Sequence, residues 1–198
     1  MKYLRQVNHP VFLKPSHPTL QYFKILPEAF EPEWGTDHSA CFDLRACLPN
    51  GTTVKLFTVR NEPQEYQIGF GWKLGDEPSD VVGPESMTIR PGDRVLVPTG
   101  LILDIPFGYS VRLHSRSGLA LKQGLVLANH EGVVDSDYVH PTFVLLTNTG
   151  RMDQQIMHGD RLAQAEMIVD IAYDILETSD QPQQKSNRVG GLGSTGVK

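Results

Sequence analysis

Glycine and proline recur along the whole chain, 18 and 14 among 198 residues, and leave little room for a long amphipathic helix. Between these breakers lie short runs of strand-like sequence. The clearest are Arg94 to Pro98 (RVLVP), Leu101 to Ile105 (LILDI), Tyr109 to His114 (YSVRLH), Gly124 to Ala128 (GLVLA), Thr142 to Thr147 (TFVLLT) and Leu162 to Val169 (LAQAEMIV), each bounded by Gly, Pro, Asn or Asp. Several alternate apolar with polar residues, as a half-buried strand does; others are apolar throughout, as a strand buried on both faces is. From Arg90 to Val169 they recur about every 10 residues with turn residues between, the spacing of a sandwich or barrel rather than of alternating strand and helix. The expectation is an all-β, jelly-roll-like domain.

Three stretches break this rhythm. Residues 1–18 hold several Pro and His and read as an irregular extension, so the domain is expected over 19–177. Within it, an excursion at about 50–88 is marked by Asn50-Gly51, Pro63, Gly69, Gly71, Gly75, Pro78 and Pro84. Its apolar and aromatic residues, Leu56 to Val59 and Tyr66 to Trp72, suit an extra hairpin with its own small core. The last stretch, 178–198, is polar before a glycine-dense end and reads as a flexible arm.

With 18 Lys and Arg against 23 Asp and Glu, the net charge is −5. That disfavours a chain that coats DNA or RNA and requires any nucleotide site to be a local basic patch. No run is apolar for the length of a membrane span, and Met1 to Arg5 leads into polar, Pro-containing sequence, so a soluble, cytoplasmic protein is expected. Cys41 and Cys47 are too few for a disulfide framework or a four-ligand zinc site, and buried reduced thiols are expected. The seven histidines lack metal-ligand spacing.

Chemistry concentrates in three places. Arg116-Ser117-Gly118 follows the strand ending at His114 and precedes Leu119-Ala120-Leu121-Lys122, which favours one short helical turn with Ser117 near its start. An arginine that forks onto phosphate oxygens, a hydroxyl and free N–H groups make an anion site. The plain alternative is an N-cap serine beside a surface arginine. Gly132 to Tyr138 (GVVDSDY) puts two carboxylates and a phenol behind an Asn129-His130-Glu131-Gly132 turn. A carboxylate beside a phosphate can take a proton from water or help to hold hydrated Mg2+. In a regular strand Asp135 and Tyr138 point to opposite faces, so a joint site needs a bend; the alternative is an acidic turn with Tyr138 in the core. Gly190 to Gly196 can wrap polyphosphate with convergent N–H groups, although it lacks the lysine of a P-loop.

In order along the chain, these pieces resemble the five motifs of the homotrimeric dUTP diphosphatase (dUTPase) family. His38 to Ala46 (HSACFDLRA) is similar to the first and Arg116 to Ala120 to the second. Gly132 to Tyr138, with Asn129 ahead of it, is similar to the third, Gly159 to Gln164 (GDRLAQ) to the fourth and Arg188 to Gly196 to the fifth. The likeness covers most of 20–48 and 89–198. It implies a distorted jelly roll (β-clip), a trimer whose sites each draw on all three subunits, and Mg2+-assisted hydrolysis of dUTP to dUMP and diphosphate. That reaction limits uracil in DNA and supplies dUMP for thymidylate synthesis.

Residue by residue, the resemblance implies that Asp135 activates the water attacking the α-phosphate. Asn129, with backbone groups near Gly132 and Val134, meets the uracil edge, while Tyr138 packs on the deoxyribose and excludes a 2′-hydroxyl. Arg116, Ser117, Gly118 and Gln164 bind the phosphates, and Asp43 supports the site near the metal through water or holds its hairpin. The arm closes over the γ-phosphate through Arg188, Gly193, Ser194 and Thr195, with Leu192 over the base where the family has a phenylalanine.

Alternatives stay open at this point. Leu192 leaves room for a diphosphatase acting on dCTP or a modified deoxyuridine triphosphate. A dCTP deaminase shares the fold and the Arg-Ser start of the phosphate motif, but asks for a carboxylate beyond the third motif, where this chain has His140-Pro141. A reading of another class is a nucleotide-gated interaction protein that meets a partner through the excursion near Tyr66 to Trp72. Pro141 also predicts a changed start for the strand after Tyr138, because it cannot donate to a ladder.

Overall fold

The computed structural model describes residues 17–69 and 85–187. The described residues form thirteen strands and one helix. In chain order these are β1 (Gln21–Lys24), β2 (Glu33–Trp34), β3 (Phe42–Arg45), β4 (Thr53–Phe57), β5 (Pro63–Gln67), β6 (Ser86–Ile89), β7 (Arg94–Asp104) and β8 (Tyr109–Ser115). They continue with α1 (Ser117–Gln123), β9 (Leu125–Leu127), β10 (Glu131–Val134), β11 (Thr142–Asn148), β12 (Gln154–Met157) and β13 (Arg161–Val169). One antiparallel sheet runs β5-β4-β7-β11-β9, with β1 also on β7; a second runs β10-β8-β13-β3-β2; β6 and β12 form a small third. Inward residues of the two large sheets, among them Val95, Val97, Val144 and Leu146 from one and Leu44, Val111, Leu113 and Leu162 from the other, share a single apolar core. This is the expected jelly-roll-like β-protein. None of its described helices is long and apolar enough to cross a membrane.

The two runs RVLVP and LILDI, expected as separate strands, are one strand, β7. Gly100 joins them at φ +70°, and a Cβ there would stand 2.7 Å from the Ala29 methyl and 2.8 Å from the Cys47 sulfur, so no side chain fits. Pairing with β11 slips at this point, between Thr142 and Phe143, and the Thr99 hydroxyl donates to the Thr142 carbonyl at 2.6 Å. A bulge of this kind lets a strand bend while its two halves keep pairing. The first half of β7 pairs with β4, and the second half with β1.

The excursion also departs from expectation. Its β4–β5 hairpin extends the first sheet, and Val54, Leu56 and Ile68 are buried in the main core rather than in one of their own. Residues 86–89 pair with β12, and Met87 is fully buried, so this end of the stretch is part of the fold. Trp72 lies outside the described residues. The helix after Arg116 has seven residues instead of a single turn, and it ends at Gly124, whose left-handed backbone donates to the Ala120 and Leu119 carbonyls. Gly124, expected as the first strand residue, is therefore the helix cap.

Candidate functional site

The site residues fall into two groups, each assembled by strand register. Gln164 of β13 lies across from Asp43 of β3 on one side and from His114 of β8 on the other. Arg116 follows two residues after His114, and its Nε donates to Asp43 Oδ1 at 3.0 Å. Arg161 Nη1 donates to Asp43 Oδ2 at 3.3 Å. Asp43 is 6% exposed, so a buried carboxylate bears two guanidinium groups and the cluster keeps a net positive charge. Arg116 Nη1 reaches the Arg161 carbonyl only at 3.5 Å, a long contact that leaves the guanidinium edge available to fork onto an anion. Ser117 and Gly118 stand exposed beside it. Ser117 is the first helical residue and not the cap; Arg116 takes that position without a side-chain cap bond.

The second group surrounds a cavity of about 400 Å3 between β10 and β11. Asn129, Gly132, Val134 and Tyr138 line it, with Leu127 and Phe143 adding apolar wall. Gly132 is required by close approach: a Cβ would lie 2.9 Å from Leu113 Cβ on the neighbouring β8. His130 turns the chain into β10 with φ +64°, an uncommon conformation for a residue with a side chain. At the other end of β10, the Tyr138 N–H donates to the Asp135 carbonyl at 3.1 Å and closes a turn. This is the bend that a joint Asp135–Tyr138 site needs. Tyr138 is 41% exposed at the cavity rather than in the core, and Asp135 is exposed. β11 begins at Thr142, directly after Pro141, as the missing N–H of proline requires.

Register keeps part of the two groups apart within one chain. Val134 pairs with Val111, so Asp135 sits at the far end of the β8–β10 ladder from Arg116. Six residue steps of strand separate the two positions, roughly 20 Å. One copy therefore brings Asn129, Gly132, Val134 and Tyr138 together, and separately Arg116 with Gln164 and Asp43. It does not bring Asp135 to Arg116. Arg188, Leu192, Gly193, Ser194 and Thr195 lie outside the described residues.

Asp43, expected to support the site near the metal through water or to hold its hairpin, accepts one arginine donor on each carboxylate oxygen. Among the described residues no group of three His, Cys, Asp or Glu is placed to hold a metal ion. Both cysteines are free. Burial raises the pKa of the Cys47 thiol; at Cys41 burial and then the charges of Glu166 and Asp43 act in the same direction, which disfavours reactive thiolate at neutral pH.

Arg161 and Phe143 are site residues that sequence reasoning did not single out. Arg161 lies inside the fourth motif, but its partnership with Asp43 spans 118 positions and depends on β13 lying against β3. Phe143 had no local signal beyond belonging to an apolar strand.

Fold and site together give an all-β protein with a largely apolar cavity and an arginine pair held on a buried carboxylate. The dUTPase family model matches residues 79–196. A deoxyuridine 5'-triphosphate nucleotidohydrolase of Dinoroseobacter shibae is 45% identical over 112 residues, 57% of this chain and 72% of the relative. The structure of a Staphylococcus bacteriophage 80alpha dUTPase with dUPNHPP superposes with a TM-score of 0.65 at 18% identity, over 90% of this chain and 99% of the other. The dUTPase from phage phi11 of S. aureus, whose structure has a structural Mg(II) ion, gives 0.58 at 18% identity, over 82% and 97%. The chain belongs to the dUTPase family.

Proposed function

We propose that the chain is a dUTP diphosphatase, cytoplasmic and homotrimeric, that converts dUTP to dUMP and diphosphate. The observation that supports this reading is the spread of its site: Asp135 lies roughly 20 Å along the β8–β10 ladder from Arg116 of the same copy. At that distance Asp135 and Arg116 of one copy do not meet at the same phosphate, and in this reading they are supplied by different copies. The glycine-rich arm, with Arg188, Gly193, Ser194 and Thr195, comes from a third.

In this arrangement the uracil enters the cavity, where Asn129 and backbone groups near Gly132 and Val134 face its polar edge. Cytosine presents donors and acceptors in exchanged positions and leaves buried groups unpaired, at about 1–3 kcal/mol for each. Tyr138 packs on the deoxyribose. Arg116, Ser117, Gly118 and Gln164 of a neighbouring copy hold the phosphate chain, with Arg116 aimed by Asp43. Mg2+ arrives as part of the substrate, held by its phosphates and water. Asp135 accepts a proton from water as that water attacks the α-phosphorus, a role open to an exposed carboxylate that directly follows Val134 of the cavity wall.

Steady-state rates for dUTP, dCTP, dTTP and UTP with Mg2+, beside the mass in solution, test the proposal. Preferential diphosphate release from dUTP by a trimer is expected. Ammonia from dCTP would move the assignment to a deaminase, and a stable monomer would remove the shared site. The idea that the excursion serves a partner gains no support from its described part, whose buried side chains join the main core.

A further inference from the structure

We propose that His140 is a positioning residue for Tyr138, and through it for discrimination against a ribose 2′-hydroxyl. The inference rests on the reading of Tyr138 as the deoxyribose wall. Tyr138 is an exposed aromatic in a turn, and such a side chain ordinarily samples several rotamers that a ligand must then restrict. Here it is held at three points. Its backbone N–H donates to the Asp135 carbonyl at 3.1 Å. Its hydroxyl donates to the Pro141 carbonyl at 3.1 Å. Its ring meets the His140 imidazole edge to face, with centroids 5.5 Å apart and planes at 78°.

The dipeptide that makes the last two contacts is itself stiff. Proline fixes its own φ, and its ring bars the helical region to the residue before it, so His140 is confined to extended backbone. The backbone that carries the imidazole and the carbonyl is thus restricted before any ligand arrives, and both groups meet Tyr138. An edge-to-face ring pair of this geometry biases a side-chain pose by about three- to tenfold. Tyr138 lines the cavity while His140 does not, so the histidine acts on the ligand through the tyrosine.

The test uses the full chain with dUTP and UTP as substrates in the presence of Mg2+. His140→Ala is expected to raise KM for dUTP about three- to tenfold with kcat little changed, and to narrow the preference for dUTP over UTP. His140→Phe, which keeps a ring, is expected to recover most of that loss. In a Tyr138→Ala background, His140→Ala is expected to add nothing, since the two act as a unit. The proposal fails if His140→Ala leaves KM and the dUTP preference intact, if phenylalanine rescues no better than alanine, or if the histidine effect persists without the tyrosine ring. A nuclear Overhauser contact between the two rings in the free protein is expected independently of turnover. If the wild type does not hydrolyse dUTP, the functional proposal falls alone, and absence of this contact overturns the positioning claim.

Discussion

Asp43 and Asp135 belong to the same residue type and sit in opposite surroundings. Asp43 is buried and accepts from an arginine on each oxygen; Asp135 is exposed just past the end of β10. A buried carboxylate that accepts from two guanidinium groups is stable only while its partners stay. A carboxylate open to solvent contributes little to the fold and can meet a reacting water. In the proposed reading, the contrast separates a residue that builds the site from one that works in it.

The largest test of this contrast is Asp135→Asn. Turnover of dUTP is expected to fall about 10²–10⁴-fold while the unfolding midpoint in urea stays near wild type. Loss of stability without loss of rate would invert the assignment.

Asp43→Ala should show the opposite pattern. Two guanidinium groups would face one another without a carboxylate, and breaking a buried pair costs about 3–5 kcal/mol. Because the Arg161 side chain is 46% exposed, solvent relieves part of this, and a loss of about 2–3 kcal/mol is expected in denaturant unfolding. KM for dUTP should rise as Arg116 loses its aim.

Within the cavity, Gly132→Ala forces β10 away from Leu113 and should cost about 1–3 kcal/mol by overpacking, with weaker binding of dUTP. The smallest effect is expected at Thr142, whose hydroxyl is buried without a hydrogen-bond partner. Thr142→Val removes that group at similar volume and should raise stability by about 1 kcal/mol, measured as a higher thermal midpoint. A decrease would mean that the hydroxyl has a partner in solution.

The strand segments were largely legible because alternation and turn residues act over a few neighbouring positions. Thr142 to Thr147 and Tyr109 to His114 fall almost on β11 and β8. Gly100 misled the reading, since a glycine looks the same at a strand break and at a bulge; only its packing against Ala29 and Cys47 separates the two. The excursion misled it for a similar reason. Its apolar residues show that something buries them, but not whether that partner is local or, as here, β7.

The site was legible as a set of residue types in order. The sequence by itself determined which groups are present: an arginine and a serine of the kind that binds phosphate, and a carboxylate and a phenol behind a tight glycine. Only the tertiary structure decided how they group, because Asp43 meets Arg161 across 118 positions and Asp135 is held away from Arg116 by a ladder register. Local sequence sets backbone preference and chemistry, whereas distance between remote side chains follows from how strands pair to bury a common core.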